Sequence, residues 1–342
     1  MHVPQEYDHI VAIDYAERNV AIARLTRQAV KPKVTEGEMT IKDLQHYCAN
    51  LSGTTLVVWE ETTTAQYLYC ELRDYVTRVL ICDPYMNRLL SDGPKNDKID
   101  ACKLVLLARA GMLKEVFHST DEVLNLRKLV SGYLDVVVAG TRLKNQKSAL
   151  YRQAGRVYKE GGALAEPAAA FVLHRLDQGI IANDRLHDEY ISEFARWRRK
   201  DKRLRYLAEA PGIATICAVK ILATVVDAKR FANSGKYLAY CGLVWQELWS
   251  GGRKYGCRRS RYSRLLKGVY KTAAMAAIGG NNDLNDYYEY LLEQGAAEHH
   301  ARHTIARQIA IATYGMLKTG TRYRPYQWRE HIGKRRTLTT GR

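Results

Sequence analysis

The chain has 342 residues, with 53 Lys and Arg against 36 Asp and Glu, a net charge of +17. Hydrophobic residues make up 46%, enough to build cores for about two domains, which excludes a wholly disordered chain. No stretch reaches the roughly 18 unbroken apolar residues of a membrane span, and no charged-then-apolar leader is visible before Asp8. The seven cysteines form no CxxC pair, so neither a zinc ribbon nor a disulfide framework is expected, and a reduced, cytoplasmic protein is the expectation.

In chain order, Ile10 to Ile13 is a short apolar run ending at Asp14, and Val20 to Leu25 reads as its partner strand beyond Asn19. Leu56 to Trp59 is a second apolar run, ending at Glu60 and Glu61. The spacing then predicts a helix over 64–76 with Leu68, Leu72 and Val76 on one side, a strand at Arg78 to Cys82 stopped by Asp83-Pro84, and a helix over 99–111 with Leu104, Leu107 and Ala108 inward. Strands alternating with helices predict an α/β domain over 1–117. From 120 to 160 helical periodicity dominates (Val123, Leu126, Val130, Leu134, Val137, Leu143, Leu150). Gly161-Gly162 breaks it, and 166–207 is again mostly helical. Two long helices with a reversal make 118–207 an antiparallel, coiled-coil-like spacer that is also suited to dimer contacts. A mainly helical segment over 208–322 follows, helical from about 264 to 318, and then a basic tail over 323–342 that is expected to be mobile.

The charge is uneven. The first 110 residues carry 13 basic and 15 acidic side chains, and the remaining 232 carry 40 and 21. All the excess positive charge therefore lies in the last two-thirds, which points to a polyanion such as nucleic acid. The densest cluster includes Arg196, Arg198, Arg199 and Lys200; a second runs from Arg253 to Lys271 with Tyr255, Tyr262 and Tyr270 interleaved, rings suited to stacking on bases. The alternative for each cluster is a solvated helix face. Ala210-Pro211-Gly212-Ile213 has the form of the hairpin in a helix-hairpin-helix, where Gly212 lets backbone amides face a phosphate.

Four carboxylates stand at element ends. Asp14 and Glu60 follow apolar β runs, and Asp97 and Asp100 lie three apart at a helix start, on one face. Acids gathered at a sheet edge repel one another unless a hard divalent cation neutralises them. Mg²⁺, with Mn²⁺ as substitute, suits such oxygens, and two ions can clamp the attacking and leaving oxygens of a phosphodiester. This is the ribonuclease-H-like arrangement; the alternative is a set of caps and surface acids. Glu61 competes with Glu60 for the second place. The other unusual stretch is Trp249-Ser250-Gly251-Gly252-Arg253-Lys254, followed by Arg258 and Arg259. The glycines allow close backbone approach to a phosphate, and the cations suit a developing phosphorane. A serine nucleophile needs a base, and none is evident nearby in sequence. The alternative is an ordinary Ser-Gly-Gly turn. His299, His300 and His303 have ligand spacing but a polar surround without cysteine. Cys82 and Cys217 read as small core residues.

Together these segments resemble the DEDD-type transposases of the "one-ten" insertion-sequence family, the bridge-RNA-guided recombinases, over nearly the whole chain. Ala12-Ile13-Asp14 is similar to the family's first acidic strand, Val58-Trp59-Glu60-Glu61-Thr62-Thr63 to its Glu-x-Thr-Gly motif, and Asp83-Pro84 with Lys95-Asn96-Asp97-Lys98-Ile99-Asp100-Ala101 to the motifs that follow. Pro211-Gly212-Ile213, Arg230-Phe231, Tyr240-Cys241-Gly242-Leu243, Ser250-Gly251-Gly252, Ala273-Ala274, Tyr287-Tyr288, Ala306-Arg307 and Tyr314 to Lys318 fall in family order. Thr63 replaces a glycine, Trp245 a proline, and Ser260 to Ser263 the usual Lys-x-Gly-Asn, differences that bear on RNA or DNA contacts.

The resemblance implies a RuvC-like domain holding Mg²⁺ through Asp14, Glu60, Asp97 and Asp100, and a transposase domain supplying Ser250. The serine would attack the scissile phosphodiester, leaving a phosphoserine link and a free hydroxyl, with strand exchange through a Holliday-junction-like intermediate. Donor and target DNA would be read by a noncoding bridge RNA. A homodimer or homotetramer, prokaryotic and nucleoid-associated, is implied. Two other readings stand beside it: a RuvC-like structure-specific nuclease that hydrolyses DNA with water, and a non-catalytic nucleic-acid-binding protein.

Overall fold

The computed structural model describes residues 7–16, 19–84, 96–119, 122–158 and 162–330. Lys95, Glu160, Gly161 and residues 331–342 of the basic tail lie outside them. The chain divides into two compact units, residues 1–120 and 121–342.

The first unit is built on a five-stranded sheet: β1 (His9–Ala16), β2 (Asn19–Thr26), β3 (Lys33–Glu38), β4 (Thr55–Glu60) and β5 (Arg78–Cys82), in the order β3-β2-β1-β4-β5. β1, β2 and β3 pair antiparallel; β4 runs parallel to β1, and β5 to β4. β1 and β4 read as continuous apolar runs because both faces of the sheet are covered. On one face Ile10, Ala12, Leu56 and Val58 pack on α3 (Asp97–Arg109) through Ala101, Leu104, Val105 and Ala108. On the other Val11, Ile13, Val57 and Trp59 pack on Leu44 and Cys48 of α1 (Ile41–Ala49) and Leu68 and Leu72 of α2 (Ala65–Leu72).

Several expectations are corrected. The edge strand β3 is missed by apolar patterning because Lys-Val-Thr-Glu-Gly-Glu is largely polar and half exposed. α1, also outside the apolar pattern, starts at a capping box in which the Thr40 backbone amide donates to Asp43 Oδ2 at 2.8 Å and the Asp43 amide donates back to Thr40 Oγ1 at 3.2 Å. The helix expected over 64–76 ends at Leu72; one 3₁₀ turn follows, and Val76 is already extended toward β5. In α3, Val105 is buried and Leu107 only half-buried.

In the second unit α4 (Val123–Gln153) and α5 (Pro167–Lys200) pack antiparallel. Lys144 pairs with Asp184 at 3.3 Å and Lys147 with Asp177 at 2.6 Å, while Tyr133 meets Phe194 with ring centres 5.2 Å apart. The seam runs through Val123, Leu126, Val130, Tyr133 and Gly140, whereas Val137 is exposed. The N-terminal part of α4 also packs on α7 (Thr215–Val225), where Arg127 donates to the Ala223 carbonyl at 3.0 Å. The remaining helices are α6 (Lys202–Leu207), α8 (Ser234–Tyr240), α9 (Arg264–Ile278), α10 (Asp283–Glu293) and α11 (Glu298–Thr319). Their core holds a buried hydroxyl chain: Tyr237 meets Tyr270 at 2.5 Å, and Tyr270 meets Thr313 at 2.9 Å. Among the described residues no helix is long and apolar enough to cross a membrane.

α6, the Ala210-to-Ile213 turn and α7 form the expected helix–hairpin–helix path. Gly212 sits at φ +75°, and a Cβ there would lie 2.0 Å from the Ala273 carbonyl oxygen of α9. Close helix packing therefore explains this glycine without a ligand. Gly212→Ala is expected to destabilise the chain by about 2 kcal/mol or more, through left-handed strain and a backbone clash. A melting temperature equal to the parent's would show that the turn relaxes freely.

Candidate active site

The acidic site follows from strand periodicity. Ile10 and Ala12 face α3, so the next residue of that face is Asp14; Leu56 and Val58 face α3, so the next is Glu60. Parallel pairing of Ala12 with Val58 places Asp14 and Glu60 level at the carboxyl ends of neighbouring strands. α3 begins on the same face. Its N-cap Asn96 accepts from the Lys98 amide at 3.0 Å, and Asp97 and Asp100 occupy its first turn, where helix amides favour carboxylates. Three elements thus bring the four predicted acids together. Partial burial, and then the charges of Asp97, Asp100 and Glu60, push the Asp14 carboxyl up to about 6.

A set of hard oxygen donors that repel one another, one of them already raised toward neutrality, fits a divalent cation. Among the described residues, however, no group of three or more His, Cys, Asp or Glu side chains is gathered tightly enough to hold a metal ion as it stands. The carboxylates are close enough to repel but are not drawn in to coordination.

Glu61 takes the opposite face of β4 by the same alternation. Its carboxylate meets His118 Nε2 at 2.5 Å, and His118 Nδ1 meets Gln66 Oε1 of α2 at 2.7 Å. The His118 side chain is only 5% exposed. His118 was not anticipated, because nothing in sequence links it to residue 61. Glu60→Gln is therefore expected to remove any rise in melting temperature produced by Mg²⁺ or Mn²⁺, and Glu61→Gln to keep it; the reverse pattern would assign the second place to Glu61.

Ser250 ends β6 (Gln246–Ser250), which pairs with β7 (Arg253–Arg258) in an exposed hairpin. Gly251 and Gly252 make the two-residue turn at φ +54° and +75°, the left-handed pair that such a turn requires. The segment is thus a two-stranded hairpin rather than an isolated turn. Ser250 pairs with Arg253 and Gln246 with Arg258, so the serine hydroxyl shares one face with two cations. The base of the hairpin is clamped. Gly242, at φ +67°, lies where a Cβ would meet the Tyr262 ring at 2.4 Å, and the Tyr240 carbonyl accepts from the Ser263 amide at 2.8 Å.

The other predicted residues separate. Arg198, Arg199 and Lys200 form the last turn of α5, where cations complement the helix dipole. Arg196 is paired with Glu193, and Arg198 donates to Thr215 Oγ1 at 2.8 Å. All four are exposed. Arg253 and Arg258 are exposed, Lys254 reaches Glu247 at 2.5 Å, and Arg259 lies 4.0 Å from the centre of the Trp245 ring. Of the three tyrosines expected to stack on bases, only Tyr255 is free to do so. Tyr270 is wholly buried and Tyr262 packs under Gly242. His299, His300 and His303 lie on α11 and take part in no metal group among the described residues. Cys82 is buried and Cys217 half-buried, and none of the seven cysteines forms a disulfide.

Residues 11–154 match a family model of DEDD transposases described as "Transposase". Residues 204–289 match one described as "Transposase IS116/IS110/IS902 family". The first covers the sheet, its acids and α4; the second runs from α6 through the hairpin to α10. No curated protein matches the chain.

Proposed function

The chain belongs to the IS110 family of transposases, and from that premise we propose that it cuts and rejoins DNA by serine attack and uses a divalent-metal acid pocket. The observation that carries the pocket is the gathering of Asp14, Glu60, Asp97 and Asp100 on one face of the sheet, with Asp14 pushed up to about 6. The order β3-β2-β1-β4-β5, antiparallel across the first three strands and parallel thereafter, supports the ribonuclease-H-like, RuvC-type reading of that unit. Bound there, Mg²⁺ would supply Lewis acidity and charge neutralisation at the scissile phosphate.

Ser250 Oγ gives its proton to solvent and bonds to phosphorus, the phosphorus–oxygen bond to the neighbouring sugar breaks, and that oxygen takes a proton from solvent and departs as a hydroxyl. Arg253 and Arg258, on the serine's face, oppose the charge that builds on the phosphoryl oxygens. Base pairing to a noncoding RNA selects donor and target, leaving the protein to hold backbones; the excess of 40 basic over 21 acidic residues beyond position 110 suits that division of labour. A homodimer or homotetramer holds the two DNAs.

The test is to incubate the chain with labelled donor DNA, its flanking noncoding RNA and Mg²⁺, then separate products on a denaturing gel before and after protease. A protease-sensitive DNA adduct that maps to the peptide containing Ser250 is expected. Nicking without an adduct would mean hydrolysis by water and would remove the serine step.

A further inference from the structure

We propose that the hairpin face opposite Ser250 is a stacking platform for unpaired nucleobases; the ligand class rests on the transposase reading above. Along β6, Glu247 and Trp249 alternate with Leu248 and Ser250, and Trp245 continues that alternation just before the strand. β7 places Lys254 opposite Trp249, and Arg259 lies one step beyond the pairing of Gln246 with Arg258. The hairpin is therefore two-faced, with serine and cations on one side and two indoles on the other.

Both indoles are held in place. Trp249 Nε1 donates to Glu247 Oε2 at 3.2 Å, and Lys254 grips the other oxygen of the same carboxylate at 2.5 Å. The Arg259 guanidinium lies 4.0 Å from the Trp245 ring centre and backs one side of that indole. Yet Trp245 is 55% exposed and Trp249 58%, whereas indoles are ordinarily among the more buried side chains. An irregularity in pairing between Leu248 and Trp249 leaves Tyr255 as the extra residue of a bulge, also exposed.

The chemistry of this face selects its ligand. An apolar protein partner needs a continuous greasy patch, and here the two rings are interrupted by the Glu247–Lys254 ion pair. Four residues along a strand separate the rings by about 13 Å, so each acts alone as a flat surface for one base. Lys254 and Arg259 beside them complement a phosphodiester backbone. Stacking on an indole is indifferent to base identity, as a protein that delegates sequence reading to RNA requires. Trp249 and Ser250 are chain neighbours on opposite faces, so a base held on Trp249 lies close to a phosphate held at Ser250. Tight duplex stacks offer no free base; strands opened for cutting do.

The test measures binding of the full chain, in EDTA to prevent turnover, to a short mixed-sequence DNA strand, the RNA strand of the same sequence, and the DNA duplex. Trp249→Ala and Trp245→Ala are each expected to weaken single-strand binding about tenfold, with Trp249→Phe recovering most of it. The salt dependence should stay that of the parent, because no charge is removed, whereas Arg253→Ala should lower its slope by about 0.7. Loss confined to the DNA strand or to the RNA strand supports the platform and names its source. If both alanine variants bind both strands as the parent does, the platform is refuted, and retained duplex binding leaves the transposase reading in place. A parent chain that binds neither strand nor duplex overturns both.

Discussion

Ser250→Ala is expected to abolish the covalent DNA adduct and to lower strand transfer by about a thousandfold or more, the scale of effect seen when a nucleophile is removed. The substitution deletes one oxygen from an exposed position at a hairpin tip, so the fold has no reason to respond. The melting temperature and the affinity for duplex DNA should match the parent's, which separates loss of chemistry from loss of structure. Survival of a protease-sensitive adduct in this variant would show that another residue carries the attack. The cations around Ser250 make a contrasting set. Arg253→Ala should weaken binding and slow cleavage but leave the adduct detectable, because it removes charge compensation rather than the atom that bonds to phosphorus.

Asp14→Asn should reduce cleavage by about a hundredfold or more, because a neutral amide is a poorer ligand for a hard cation than a carboxylate. The same substitution carries a stability signature of opposite sign. In the folded chain the Asp14 carboxyl titrates at about 6 rather than at its ordinary 3.8, so between these values the native state holds a proton that the unfolded chain releases. Metal-free stability therefore falls as pH rises through that window and is level above it. Asp14→Asn removes the slope and raises the metal-free stability at neutral pH, by about 1 kcal/mol or less once screening at a half-exposed site is allowed for, and the melting temperature rises with it. Added Mg²⁺ or Mn²⁺ reverses the order: it competes with the proton, stabilises the parent more strongly as pH rises to about 6, and does little for the variant. A thermal-shift series in pH, with and without the cation, reads both effects. A variant that keeps full cleavage would remove the metal pocket, and a parent with no pH slope would remove the crowding of the four acids.

The local start and stop signals of the first unit were legible because they are local. Apolar runs beginning at Ile10 and Leu56 with acids at their ends, the helix start that carries Asp97 and Asp100, and the Asp83-Pro84 stop all state their structure in a few adjacent residues. β3 and α1 escape apolar patterning for different reasons: an edge strand need not be apolar, and the helix after the Thr40 capping box is only nine residues long and buries only Leu44 and Cys48. In the second unit the long periodicities revealed α4 and α5 but not which of their residues would be covered. Val137 follows the repeat yet is exposed, and Gly140 is buried.

Residue types and chain order alone determined the acid set, the charge asymmetry and the serine with its glycines, because each is a matter of composition and spacing. Only the folded chain separates Glu60 from Glu61 in space, since strand alternation turns one toward Asp14 and the other toward His118, 57 residues away in sequence. It also reassigned the aromatic residues: Tyr270 went into a core that Thr313 completes, while Trp245 and Trp249 were left outside on a hairpin. Burial depends on what arrives from elsewhere in the chain, and no window of neighbouring residues contains that information.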